Sequence, residues 1–278
     1  MDNYIPGQPI PYNKLFIYYF QGRLRSKFDV FGEDFIGNWE EGDTSFLFFS
    51  ESADGRIDEL LKVQPQLILE DRFCMSYDEW HGEPVNPFQA GRFSIMPPWR
   101  LADTKADDIP IILDPGVVFG AGTHPTTRDC LEAIEILCDN EKVNSSLDLG
   151  TGTGLLSIAA ARLGCPQNVA VDNNFLATKT ARKNVALNKL DDQVRIVCGL
   201  AEDLLEWDAD LLIANIHYDV MKDLVILPGF LKKKWFILSG LLRTETRHIE
   251  MQLSKQPVTI LEKWVRDGVW HTLFGRVD

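Results

Sequence analysis

The sequence predicts an α/β protein: a mostly parallel sheet covered on both faces, with a smaller α+β region ahead of it. Three observations lead there. From Ile109 onward, strand-like and helix-like segments alternate, the order of a doubly wound sheet. The strand segments in that part are short apolar runs, as expected for strands buried on both faces. Before about Trp99 the texture changes to aromatic, Pro-bearing and strand-rich. Pro-rich IMPPW and polar ADTKADD mark the boundary, so the expected division is residues 1–99 and residues 100–278.

In the N-terminal part, KLFIYYFQG and SFLFFS read as β-strands, ADGRIDELLKVQ as a short amphipathic helix and QLILEDRF as another strand. The larger part opens with a helix from Thr127 to Asp139. Strand SSLDLG, helix LLSIAAARLG and strand NVAVD follow, then helix FLATKTARKNVALN and the strands VRIVCG and ADLLIANI. A helix over YDVMKDLVILPGFLKK, strand WFILSG and helix RTETRHIEMQLSK come next. The end is different: VTILEKWVRDGVWHTLFGRV reads as two strands turning at Asp267 and Gly268, an antiparallel hairpin.

Composition narrows the function classes. The 278 residues carry a formal net charge of −13, which disfavours a partner gripped through phosphates, so no direct nucleic-acid binding is expected. The one dense basic run, Lys232, Lys233 and Lys234, is expected to cap a helix C-terminus. No apolar run is long enough for a membrane span, and the N-terminus lacks signal-peptide features. Five scattered cysteines without CxxC spacing read as reduced cytoplasmic thiols, and the five histidines show no ligand spacing, so no metal is expected.

Two glycine clusters carry the chemistry. In SLDLGTGTGLLSIAAARLG, a strand ends at Asp148, and Gly150, Gly152 and Gly154 alternate ahead of a helix. Such a loop brings backbone against a ligand at the carboxyl end of the sheet. A dinucleotide fingerprint needs GxGxxG, and here the sixth position is Leu155. The DxGxGxG spacing instead fits S-adenosylmethionine (SAM), which has no phosphate to cradle. Asp172, ending the next strand, is positioned for the ribose hydroxyls, although it also suits a loop-starting helix cap. Upstream, FGAGTHPTTRD opens another helix, with a capping box read from Thr126 to Asp129. That helix start offers N–H groups to a carboxylate, so both loops are expected to serve one ligand, with Thr127 near its methionine end. Phe119 either covers the cofactor or packs as an ordinary aromatic.

LDPGVVFGAGTHPTT, LDLGTGTGLLSIAAARLG, IANI, LSGLL and the terminal hairpin, in this order, resemble the ribosomal protein L11 methyltransferase family over roughly Trp80 to Asp278. The resemblance implies a seven-stranded, Rossmann-like SAM-dependent methyltransferase domain behind a small ferredoxin-like recognition domain. It implies SAM contacts at Thr127, Gly150, Asp172 and Asn215, S-adenosylhomocysteine as product, and L11 as protein substrate. The family's recognition domain begins strand, helix, strand; LFIYYFQGRLRSKFDVFGEDFIGNWEEGDTSFLFF shows no clear first helix.

Asn215 follows an apolar strand and is the candidate catalytic residue, its amide oxygen holding the hydrogens of an amine acceptor. His217 and Tyr218 are candidates for the acceptor pocket or surface residues, Glu202 and Asp203 for the adenine side or a solvated turn, and His124 for loop packing. Readings left open are a methyltransferase for another protein or a small amine, a non-catalytic SAM-binding module and, last, a dehydrogenase.

Overall fold

The computed structural model describes residues 9–25 and 31–278. It forms two compact units: the described residues up to Asn86 with Asn174–Leu176, and Pro87–Asn173 with Ala177–Asp278. The IMPPW and ADTKADD stretches lie inside the second unit.

The first unit contains β1 (Leu15–Gln21), β2 (Phe35–Glu41), β3 (Thr44–Phe49), α1 (Asp54–Val63), β4 (Ile68–Met75) and α2 (Tyr77–His81). Its sheet runs β2-β3-β1-β4 with every neighbouring pair antiparallel, the strand order of a ferredoxin-like sheet. The expectation that no helix follows β1 falls partly on residues 26–30, outside the described residues; among the described residues no helix joins β1 to β2. The sequence pattern leaves β2 unmarked because Gly37 and Asn38 interrupt its alternation. Ile57 and Leu60 of α1 are buried against Tyr18, Phe20, Leu47 and Phe49, one face of the sheet. The Tyr18 hydroxyl fixes the helix start by accepting the Ala53 N–H at 2.8 Å.

The second unit opens with β5 (Phe88–Ala90), β6 (Phe93–Met96) and β7 (Ile109–Ile112), a small sheet in which β6 and β7 are parallel. Then follow α3 (Pro125–Asn140), β8 (Ser145–Leu149), α4 (Leu155–Arg162), β9 (Gln167–Asp172), α5 (Phe175–Leu187), β10 (Val194–Cys198), α6 (Ala201–Leu204), β11 (Leu211–Asn215) and α7 (Tyr218–Leu224). The chain ends through β12 (Trp235–Leu242), α8 (Arg243–Leu253), β13 (Val258–Arg266) and β14 (Trp270–Val277). The main sheet runs β10-β9-β8-β11-β12-β14-β13, parallel from β10 to β12, with β14 antiparallel to both its neighbours. This is the seven-stranded, Rossmann-like α/β sheet the sequence predicted.

Alternation explains the apolar runs. Leu211 and Ile213 of β11 enter one core with α3 and α4; Leu212 and Ala214 enter the other with α7 and α8. A strand buried on both faces has no polar side to show. The closing hairpin turns with φ of 53° at Asp267 and 67° at Gly268, and the Val269 N–H closes on the Arg266 carbonyl at 3.0 Å.

Two local readings are corrected. The helix expected over YDVMKDLVILPGFLKK ends at Leu224, and a separate 3-10 turn runs from Pro228 to Lys232. Pro228 has no N–H to continue a helix and so starts the new turn. The lysine run does not cap its own helix. Lys233 is buried and donates to the Leu205 carbonyl at 2.7 Å and to that of Trp207, just beyond α6. Lys232 pairs with Glu206 at 2.5 Å and Lys234 with Asp210 at 2.8 Å.

Candidate active site

Strand order locates the site. The chain runs outward from β8 through β9 to β10, then returns to the other side of β8 with β11 and β12. Helices after β8 and β11 therefore depart to opposite faces and open a crevice at the strands' carboxyl ends. Register levels those ends: Leu149 lies beside Val171 and Ala214, and Asn215 beside Ser239. Gly150, Asp172 and Asn215 thus share one edge of the sheet.

The two glycine clusters touch each other. Gly152 has φ of 56°, and a Cβ there would stand 2.5 Å from the Phe119 carbonyl oxygen. The Thr153 hydroxyl donates to the Gly120 carbonyl at 2.6 Å. The backbone of Phe119 and Gly120 therefore lies directly on the loop of residues 150–154, with Gly154 as the N-cap of α4. This is the physical reason for two adjacent glycine-rich segments. The Gly150 and Thr151 N–H groups both donate to the Val171 carbonyl, at 2.8 and 2.9 Å, and the Gly152 N–H donates to Asp172 Oδ2 at 3.0 Å.

Asp148 works from below. It is buried, and its Oδ2 accepts from the Thr151 hydroxyl at 2.6 Å and the Ser157 hydroxyl at 3.0 Å, bracing the loop against α4. Burial pushes its carboxyl up to about 6, against the pull of these two donors.

The start of α3 corrects the capping-box reading. His124, not Thr126, is the N-cap: its Nδ1 accepts the Thr126 N–H at 3.4 Å, and its ring packs edge-on against Trp270. Pro125 has the helical φ built in, so the helix begins before the two threonines rather than at them. Burial lowers the His124 pKa, which favours the neutral ring that this acceptor role requires. Asp129 does not close a capping box; its carboxylate holds Arg266 and Thr272.

Asn215 Nδ2 donates to Thr127 Oγ1 at a long 3.4 Å, joining the β11 end to the α3 start. Its Oδ1 occupies space left by Gly240, where a Cβ would come within 3.1 Å. The flanking candidates turn elsewhere. His217 is the exposed N-cap of α7, Tyr218 Oη lies 2.6 Å from His248 Nδ1, and Glu202 and Asp203 open α6. Phe119 is 75% exposed at the loop tip. Thr272, buried beside these residues, carried no local sequence signal; in the sequence Asp129 reads only as part of a capping box and Ser239 only as part of LSGLL. A surface cleft of about 490 Å³, lined by Gly91, Arg128, Glu132 and Arg266 among others, runs along α3 and contains none of the seven predicted site residues. Among the described residues, no group of His, Cys, Asp or Glu is arranged to hold a metal, and no helix is long and apolar enough to cross a membrane.

Residues 70–277 match the family model described as ribosomal protein L11 methyltransferase (PrmA). The chain belongs to this family. A ribosomal protein L11 methyltransferase of Desulfitobacterium hafniense is 35% identical over 225 residues, 78% of this chain and 68% of that protein. One from Listeria monocytogenes is 34% identical over 193 residues, covering 66% of this chain and 59% of its own length. The crystal structure of a ribosomal protein L11 methylase from Lactobacillus delbrueckii subsp. bulgaricus superposes with a TM-score of 0.61 at 28% identity, over 69% of this chain and 99% of that one. The match to the family model covers all seven predicted site residues and leaves out β1 to β3 and α1.

Proposed function

We propose that this chain is a SAM-dependent protein N-methyltransferase acting on amino groups of ribosomal protein L11, lysine side chains above all, in the cytoplasm. The observation that carries the reading is the grouping of Gly150, Asp172 and Asn215 at the switch point of the sheet, in a member of the L11 methyltransferase family. The donor set fits SAM: a carboxylate ending β9 suits vicinal hydroxyls, and the glycine loop presents backbone without a basic residue for phosphate.

In this reading Gly150, Gly152, Gly154 and Asp172 hold most of the cofactor, Thr127 and Asn215 lie at its methionine end, and Asp148 contributes through the loop it braces. Bound SAM supplies an electrophilic methyl group. Asn215 holds the acceptor amine by its hydrogens, leaving the nitrogen lone pair directed at the reacting carbon. Positioning of this kind supplies much of the rate of a bimolecular displacement. The amine gives its proton to water. The sequence between LFIYYFQ and FIGNWEE, which departs from the family pattern, favours, as the alternative, another protein or a small amine as acceptor.

The test is transfer of radiolabelled methyl from SAM to purified unmethylated L11 and, in parallel, to an extract of cells lacking this protein. Asp172→Ala gives the background, and Asn215→Ala should largely keep SAM binding while losing turnover. Label on L11 is the expected result. Label only on another band replaces the substrate, and none anywhere with SAM bound overturns the enzymatic reading.

A further inference from the structure

Asp129 is a fully buried carboxylate in the early part of α3 that the mechanism above does not use. Its Oδ1 accepts from Arg266 Nε at 2.6 Å and its Oδ2 from Thr272 Oγ1 at 3.2 Å. Arg266 ends β13 and Thr272 lies in β14, so one side chain ties the start of α3 to both strands of the closing hairpin. Arg266 also reaches Glu132 of α3 at 3.1 Å. Thr272 Oγ1 lies 2.6 Å from Ser239 Oγ, and Ser239 is the register partner of Asn215. Each hydroxyl has one proton to give. With Asp129 ionised beside its guanidinium, Thr272 donates to Asp129, and the Ser239 hydroxyl has both Thr272 Oγ1 and the Thr126 carbonyl, at 3.4 Å, as acceptors.

The same helix start meets Asn215 from its other side, through Thr127, two residues before Asp129. An asparagine amide has two chemically opposite ends: the oxygen accepts and the NH₂ donates. Only the oxygen can hold an amine by its hydrogens. In this structure the NH₂ end faces Thr127 Oγ1, so the oxygen is the end turned away from α3, and Thr127 stays in place only while the helix start does. The His124 ring against Trp270 of β14 and the Ser239 hydroxyl on the Thr126 carbonyl at 3.4 Å also tie the helix start to the sheet; Asp129 is the charged tie.

We propose that Asp129 is a positioning residue for methyl transfer: anchored by Arg266 and Thr272, it holds Thr127 where it orients the Asn215 amide. This rests on the proposed function for its kinetic consequence, whereas the anchor itself is a matter of structure. The test uses Thr272→Val and Asp129→Asn, with Thr272→Ser as the conservative variant, each alone and combined with Asn215→Ala. Thr272→Val and Asp129→Asn should lower kcat about tenfold with little change in the KM for SAM, and Thr272→Ser should restore it. In the Asn215→Ala background Thr272→Val should cost nothing further, since both act on one amide. The Asn215 side-chain amide, identified as the ¹H–¹⁵N pair that Asn215→Ala removes, should shift in Thr272→Val and return in Thr272→Ser. Multiplicative losses in the double variant, or an unmoved amide pair, would overturn the proposal. A wild type without transferase activity would instead refute the proposed function, and the amide pair would still judge the anchor.

Discussion

Replacing Gly152 by alanine tests the idea that the two glycine loops form one ligand-binding surface. Gly152 sits at φ of 56°, where an L-residue costs about 1–2 kcal/mol. Its Cβ would also stand 2.5 Å from the Phe119 carbonyl oxygen, a backbone atom that cannot swing aside as a side chain can. Gly164→Ala separates the two costs, because Gly164 also has a left-handed φ, 96°, yet a Cβ there meets nothing within 4 Å. At roughly 2–4 °C per kcal/mol, Gly164→Ala should lower Tm by roughly 2–8 °C and keep the full rise in Tm that SAM produces. Gly152→Ala should lower Tm further and push the 119–122 loop off the 150–154 loop. SAM affinity should then fall at least about tenfold, equivalent to about 1.4 kcal/mol. Thermal melts with and without SAM, and calorimetric titration of each variant, read these quantities. If Gly152→Ala melts like Gly164→Ala and binds SAM as the wild type does, contact between the loops is not what builds the site.

Two further perturbations probe the supports of the site. The folded Asp148 carboxyl titrates near 6, against an ordinary 3.8, so between those values the folded chain holds a proton that the unfolded chain has lost. Stability from this group is therefore present at acid pH and lost as pH rises from about 4 to about 6, by on the order of 3 kcal/mol. Asp148→Asn should remove that slope, so its stability relative to wild type should climb across this window in denaturant melts; a pH-independent difference would refute the assignment. Lys233→Met leaves the Leu205 and Trp207 carbonyls without their charged donor, and should cost about 2 kcal/mol, roughly 4–8 °C in Tm. An unchanged melt would show that water replaces the ammonium there.

Much of this protein was legible because burial and backbone geometry write themselves locally. The strands of the main sheet are apolar runs since both their faces are covered, and the polar residues at or next to their ends, Asp148, Asp172 and Asn215, stand out against that background. The glycines at 150, 152 and 154 announce a loop no other residue type could form so tightly. The helix at α3 was equally visible, but its first residue was not. Thr126 through Asp129 has the composition of a capping box, and the choice of His124 instead depends on Pro125 and on Trp270, distant in the sequence. Strand β2 and the short strands β5 to β7 escaped notice because their pairing partners, rather than their own alternation, make them strands.

The sequence by itself determined the α/β class, the polar residues at the ends of the apolar strands, and the family, because these depend on residue type and local spacing. Only the tertiary structure decided what Asp129 does. Its partners Arg266 and Thr272 stand more than 130 residues further along the chain, brought to it by the antiparallel return of β14 along β12. It likewise decided why two glycine loops are needed: one backbone lies on the other, and that contact exists only once the chain has folded.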